Sequence, residues 1–354
     1  MTEVERLLEE NDLFYLSDNS TGITRAKVRD GFIYYDKSRK EVNDEKTLER
    51  IRKLAIPPAW ENVWIAPKKN AHLQATGIDQ AGRKQYRYHA SWSELRNESK
   101  FYRLLEFGRK LPEFRRNLQK DLRRKNLDER KVLAVAVNFM QKTNIRIGNE
   151  SYKELYGSYG LSTLRDKHIK IKGSMMRLSF KGKKGIMHDM AITDVKLARL
   201  VQKCKDIPGQ ELFQYYTEDG ERCSIDSGMV NKYIKEVTCC DFTAKDFRTW
   251  SGTLEALRAY ATIEYSESIT ARKKVTNDVL DIVCRKLGNT RTVCKKYYVF
   301  PPLIAAYEEG MLVPYLKKVN KESSLGTETS LNQDEKVLLS FLRAERKKKS
   351  LLKS

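Results

Sequence analysis

The chain has 354 residues, 40% of them hydrophobic and 32% charged, which is material for about two domains because single cores seldom grow past ~250–300 residues. Its longest apolar run, around "VLAVAV", falls far short of the ~20 residues a spanning helix needs, so a soluble, intracellular protein is expected. Lys and Arg total 68 against 47 Asp and Glu, a formal charge of +21, which favours a polyanionic partner and puts nucleic acid first in that class.

The opening "MTEVERLLEENDL" is acidic and amphipathic, not the basic segment and apolar block of a leader. Within residues 1–97, "GFIYYD" and "ENVWIAP" are aromatic and β-branched runs bounded by turn formers, hence predicted strands, and "IPPAW" interrupts any helix between them. "GRKQYRYH" alternates Lys84, Tyr86 and Tyr88 with Gln85, Arg87 and His89, predicting a strand with two distinct faces. Its ordinary reading is an edge strand with aromatics inward and basic groups in water.

From about residue 98 the period becomes helical. Phe114, Leu118 and Leu122 recur every four residues, with Arg115, Arg116, Lys120, Arg123 and Arg124 between them. That is an amphipathic helix whose basic face is either solvated or tracks phosphates. Asp128 fits the N-cap of a buried helix, "ERKVLAVAVNFMQK", and "ESYKELY" is a further helix ending at Gly157. Within 161–192, "HIKIK", "MRLSF" and "GIMHDM" predict three short strands.

Helices resume over 193–320, the Ser/Thr/Glu/Asn-rich stretch 320–335 reads as a linker, and a last helix carries Leu338 and Leu342 with a basic end. The expected fold class is α+β: a small strand-rich N-terminal domain (1–97), a mainly helical domain with a small three-stranded sheet (98–318), and a polar linker with a basic C-terminal helix (319–354).

Six cysteines (Cys204, Cys223, Cys239, Cys240, Cys284 and Cys294) show no CxxC spacing and the four histidines lie apart from them, so neither a zinc site nor a disulfide framework is expected. A phosphate-cradling Gly-rich loop and a carboxylate cluster for two-metal chemistry are not evident either. Phosphoryl transfer by protein cations remains. It needs fixed arginines on the non-bridging oxygens, a lysine to protonate a leaving oxygen, and a nucleophile. A tyrosine suits the last role, because its pKa of ~10 makes it a tolerable leaving group on reversal. Composition alone does not choose among 68 basic residues.

In order along the chain, "NIRIGNESY", "FKGKKG", "KDFRTW" and "LGNTRTVCKKYYVFPP" resemble the active-site motifs of type IB DNA topoisomerases of the compact poxvirus and bacterial branch, and "GIDQAGRKQYRYH" resembles that branch's N-terminal DNA-clamping domain. The resemblance covers residues 30–305 and rests on the order of the motifs, each of which is weak alone. It implies the type IB topoisomerase and tyrosine recombinase catalytic fold. By the same resemblance, Arg146 and Arg248 clamp the scissile phosphate, Lys183 is the general acid and Tyr298 the nucleophile. Asn289 stands nine residues before Tyr298, where many relatives carry histidine; an amide also supplies a neutral donor.

Gln85, Tyr86 and Tyr88 match groove contacts of the viral branch, with Arg83, Lys84 and Arg87 adding sequence-independent attraction. Tyr152 and Lys245 match further DNA contacts. Asn149 and Ser151, not lysines, stand where the viral branch has two other contacts, so the resemblance does not imply that branch's sequence specificity for this chain. The implied protein is a monomeric clamp on supercoiled duplex DNA, cytoplasmic and nucleoid-associated in a bacterium. It requires neither ATP nor metal, divalent cations being at most stimulatory. Taken singly, each motif residue also has a bland reading as a surface salt bridge, a turn or a cap.

Two rivals are weighed. Tyrosine recombinases share the arginine–lysine–arginine–tyrosine chemistry but usually place histidine three residues before the second arginine, where this chain has Lys245, and they usually begin with a helical bundle. A catalytically silent DNA-binding protein would require a broken set, and only Asn289 departs from it.

Overall fold

A computed structural model describes residues 8, 11–80, 82, 84–319 and 329–351. The chain divides into two units, Met1–Lys100 and Phe101–Ser354.

The first unit is built on an antiparallel five-stranded sheet. Its strands are β1 (Ile23–Val28), β2 (Gly31–Tyr35), β3 (Glu61–Ile65), β4 (Leu73–Ile78) and β5 (Lys84–Tyr88), in the order β2-β1-β3-β4-β5. Helix α1 (Glu45–Lys53) starts at Asp44, whose carboxylate accepts from Thr47 N at 2.9 Å, an N-cap of the kind that contributes ~1 kcal/mol. Ile51 of α1 joins Ile23, Val63, Ile65 and Ala75 in a small core. Strand β4 is buried along most of its length, whereas β5 is an edge strand.

Helix α2 (Ala90–Leu122) begins ahead of the apolar repeat seen from residue 98. Its early turn is anchored by Trp92, which clusters with Leu8 and Leu13, a contact without helical periodicity. In the second unit Phe114, Leu118 and Leu122 are buried on one face of α2. Helix α3 (Glu129–Thr143) is central, with Val132–Val137 buried throughout. Asp128 caps its start through Lys131 N at 2.9 Å, and Asn144 ends it with φ 55°. Helix α4 (Glu150–Tyr156) closes on Gly157 at φ 57°.

Strands β6 (Ile169–Lys172), β7 (Met175–Lys181) and β8 (Met187–Thr193) form the three-stranded antiparallel sheet. Strict alternation along β7 buries Met176, Leu178 and Phe180, as one-sided sheets require. The rest is helical: α5 (Val195–Lys205), α6 (Ser227–Thr238), α7 (Ala244–Thr262), α8 (Ile269–Leu287), α9 (Arg291–Tyr297), α10 (Pro301–Glu308), α11 (Val313–Leu316) and α12 (Gln333–Leu351). A hairpin of β9 (Gln214–Tyr216) and β10 (Arg222–Ser224) interrupts the helices. Its three-residue strands are too short to show a period in the sequence.

The C-terminal helix, which the sequence sets apart with the linker, shares the core of the second unit. Val337, Leu338, Leu339, Phe341 and Leu342 are buried in it. At its start, Asp334 pairs with Arg258 at 2.7 Å and Glu335 with Arg115 at 2.6 Å, both carboxylates being buried. Most of the expected linker, residues 320–328, lies outside the described residues. Among the described residues no helix is long and apolar enough to cross a membrane.

Candidate active site

Four segments of the second unit converge. The first is the loop after α3, carrying Arg146. Gly148 (φ 95°) crosses Gly160 so closely that a Cβ on Gly160 would lie 2.5 Å from Gly148 N, and Arg146 O accepts from Leu161 N at 2.7 Å. The loop is therefore pinned at the arginine's own carbonyl and again two residues beyond it. Asn149, next along, caps α4 by accepting from Tyr152 N at 3.1 Å, so its side chain has a local structural job.

The second segment is α7. Thr243 and Asp246 form a reciprocal cap at its start, and Arg248 follows one turn later, only 4% exposed. The third is the end of α8, where Gly288 (φ 58°) turns the chain and leaves carbonyls unpaired within the helix. Arg146 donates to Gly288 O at 3.2 Å and Arg248 to Leu287 O at 2.8 Å. Arg248 also donates to Asn144 O, and Arg146 to Asn289 Oδ1. The negative end of α8 thus offsets part of the repulsion between two neighbouring guanidiniums. Asn289 spends its amide oxygen on Arg146, and its NH2 makes only a long 3.4 Å contact with Leu287 O.

The fourth segment is the end of α9. Tyr298 N and Val299 N both donate to Cys294 O at 3.0 Å. Thr253 on α7 donates to Tyr298 O at 3.1 Å and accepts from Phe300 N at 3.2 Å. Immediately before it, Gly252 leaves no room for a side chain: a Cβ there would stand 2.7 Å from Tyr298 O. The Arg248 guanidinium lies 5.1 Å from the centre of the Tyr298 ring, whereas the Tyr297 ring carries Lys296 Nζ at 5.5 Å. The two adjacent phenols therefore occupy different electrostatic settings.

Burial, and then the charge of Arg248, push the Arg146 pKa down from its ordinary value. Every hydrogen bond that the two arginines make among the described residues goes to a carbonyl or amide oxygen, none to a carboxylate. Arg248 Nε is buried without a partner. Buried cations are normally paired, so this pair is arranged for an anion supplied from outside. Among the described residues no three His, Cys, Asp or Glu side chains converge as a metal-ligand set.

Lys183 begins the tight turn Lys183–Gly185 between β7 and β8 and is exposed. Its ammonium lies 5.3 Å over the ring of Tyr152, a cation–π contact within the usual ~6 Å reach. Lys184, in contrast, has φ 62°. Lys245 is exposed in the first turn of α7.

The other expected DNA contacts belong to the first unit. Arg83 lies outside the described residues. Gln85 donates to Asp79 at 2.8 Å and Lys84 pairs with Asp18 at 2.6 Å. Tyr86 is 47% exposed and stacks on Tyr88, which in turn packs against the Leu8, Leu13 and Trp92 cluster. The inward-aromatic reading of β5 thus holds for Tyr88 and not for Tyr86. Sequence reasoning did not single out Gly252, Thr253 or His188. The glycine four residues after Arg248 was the one available signal.

Residues 89–313 match the family profile "Eukaryotic DNA topoisomerase I, catalytic core", and residues 31–79 match "Bacterial DNA topoisomerase IB, N-terminal domain". The DNA topoisomerase 1B of Acanthamoeba polyphaga mimivirus is 34% identical over 300 residues, covering 81% of this chain and 88% of the relative. The DNA topoisomerase I of Monkeypox virus and the DNA topoisomerase 1B of Vaccinia virus (strain Copenhagen) are each 22% identical over 294 residues, covering 80% of this chain and 89% of the relative. With its core and its N-terminal unit both matched, the chain belongs to the type IB DNA topoisomerase family.

Proposed function

We propose that this protein relaxes supercoiled duplex DNA by cutting one strand through Tyr298, and that it does so without ATP or a metal ion. The observation that carries the reading is the pair of carboxylate-free arginines, one buried and one half-buried, beside that phenol. Tyr298 Oη attacks the scissile phosphorus and its proton passes to water. The P–O5′ bond breaks as the P–Oη bond forms, and Lys183 gives the departing 5′ oxygen its proton. Arg146 and Arg248 neutralise the charge that builds on the non-bridging oxygens. Asn289 orients Arg146 through its Oδ1 and leaves its NH2 for a phosphate oxygen. The 3′-phosphotyrosyl bond conserves the energy of the phosphodiester, so the 5′ hydroxyl reverses the reaction after the strand has rotated.

Tyr86 and Gln85 on β5, with Arg83, Tyr152 and Lys245, supply contacts to backbone and groove. Exposed Lys245 and Tyr86 are the positions best suited to a duplex. The protein works as a monomer on this reading. The test incubates it with supercoiled plasmid in EDTA without ATP, stops the reaction with denaturant, and maps the tyrosine left on DNA. Relaxation with the adduct on Tyr298 is expected, abolished by Tyr298→Phe and kept by Tyr297→Phe. An adduct surviving Tyr298→Phe would overturn the assignment, and exchange confined to one specific site would favour a recombinase.

A further inference from the structure

His188 lies on β8, opposite Phe180 of β7, and its ring stacks on that phenyl at 4.8 Å with 10° between planes. It is only 8% exposed. Two glycines hold its edges. A Cβ on Gly182 would stand 2.6 Å from His188 Cδ2, and one on Gly288 would stand 2.3 Å from His188 Cε1. No side chain larger than hydrogen fits at either place without displacing the ring. Gly182 is the residue immediately before Lys183, and it closes the hairpin turn by donating to Ile186 O at 2.8 Å and accepting from Gly185 N at 3.1 Å. Gly288 is the residue immediately before Asn289, and its carbonyl receives Arg146. A single rigid ring therefore spans from the lysine's turn to the arginines' turn. Burial, and then the charges of Arg146 and Arg248, hold its pKa below the ordinary histidine value, which disfavours a third cation in the cluster.

We propose that His188 is a positioning residue: its imidazole is the spacer that sets the Lys183 hairpin against the Gly288–Asn289 turn and thereby places the lysine ammonium at the leaving oxygen. The inference rests on the reading of Lys183 as the general acid. Lys183 itself is exposed and, among the described residues, its ammonium lies over the ring of Tyr152, so the location of its turn decides where its head can reach. With alanine at 188 both glycines lose their common neighbour and the hairpin is left to drift. A misplacement of ~1 Å costs up to ~10²-fold in a positioned reaction.

The experiment measures single-turnover cleavage of a duplex that the full-length protein cuts, with oxygen or with sulfur as the 5′ bridging atom. The thiolate leaves without needing a proton. Lys183→Ala and His188→Ala are compared with the unsubstituted protein, alongside DNA affinity and thermal melting. On oxygen, Lys183→Ala should lose ~10²–10⁴-fold and His188→Ala roughly 10–10²-fold, with affinity unchanged; sulfur should restore both. A His188→Ala protein as slow on sulfur as on oxygen, or as fast as the unsubstituted protein on both, overturns the proposal while leaving a rescued Lys183→Ala intact. Failure of sulfur to rescue Lys183→Ala overturns the acid assignment and the proposal with it. His188→Gln, which keeps a polar side chain but not a rigid ring, should show the same pattern and serves if the alanine variant melts below the assay temperature.

Discussion

The edge strand of the first unit and the arginine cluster of the second treat charge in opposite ways. On β5, Lys84 has Asp18 and Gln85 has Asp79, so the polar groups expected to meet DNA are already satisfied within the unit. In the cluster, Arg146 and Arg248 lean on helix-end carbonyls and, among the described residues, find no carboxylate. The first arrangement suits contacts exchanged with solvent and DNA at little net gain, the second a site that is incomplete until an anion arrives. On the proposed reading, contacts of the first kind govern binding and those of the second kind govern rate, because their stabilisation is greatest when charge peaks on the phosphate.

That contrast can be broken at several points. Arg248→Ala should lower the single-turnover cleavage rate ~10²–10³-fold while leaving affinity within a few-fold; an equal loss of affinity would reduce the arginine to a docking contact. Gly252→Ala, which pushes a methyl at the Tyr298 carbonyl, should slow cleavage by about tenfold through misplacement alone, again at constant affinity. Tyr86→Ala belongs to the other class. It should weaken DNA binding by roughly 1 kcal/mol with the cleavage rate of bound complex unchanged, and a slowed bound complex would show that β5 acts on the chemistry.

The smallest expected effect is on stability. Burial, and then Lys167 and Arg165, hold the His168 pKa at about 4, and His188 is also lowered. Because the folded values lie below the unfolded value of ~6.5, the unfolded chain takes up more protons in between. This contribution is therefore complete above ~6.5 and is lost as pH falls towards about 4. Melting temperatures measured from pH 7 down to 4 should show the decline, and His168→Gln should flatten it; an unchanged slope would assign the loss to the lowered carboxylates instead.

Periodicity exposed most of the fold. The alternation in "MMRLSFK" and the apolar run of α3 describe surfaces that bury one face or all of a segment, and such patterns are written locally. What was illegible has no local period. The early turn of α2 depends on one tryptophan meeting Leu8 and Leu13. The place of α12 depends on two ion pairs to helices far away in sequence. Motif order made Arg146, Lys183, Arg248, Asn289 and Tyr298 nameable, yet it could not reveal that Asn289 faces Arg146 or that His188 wedges between two glycines. Both are close approaches between distant segments, visible only once the chain is folded.

One helix, α7, holds Arg248 on its second turn and, a turn later, the glycine and threonine on which the backbone of Tyr298 hangs. In the proposed mechanism, attacker and clamp therefore share one helix while the DNA swivels. Throughout the covalent interval of that mechanism the tethered phosphate would stay docked, and only the 5′ end would travel. On that reading resealing would wait on that single return, so the dwell time in the open state should follow the DNA's torque rather than any rebuilding of the site.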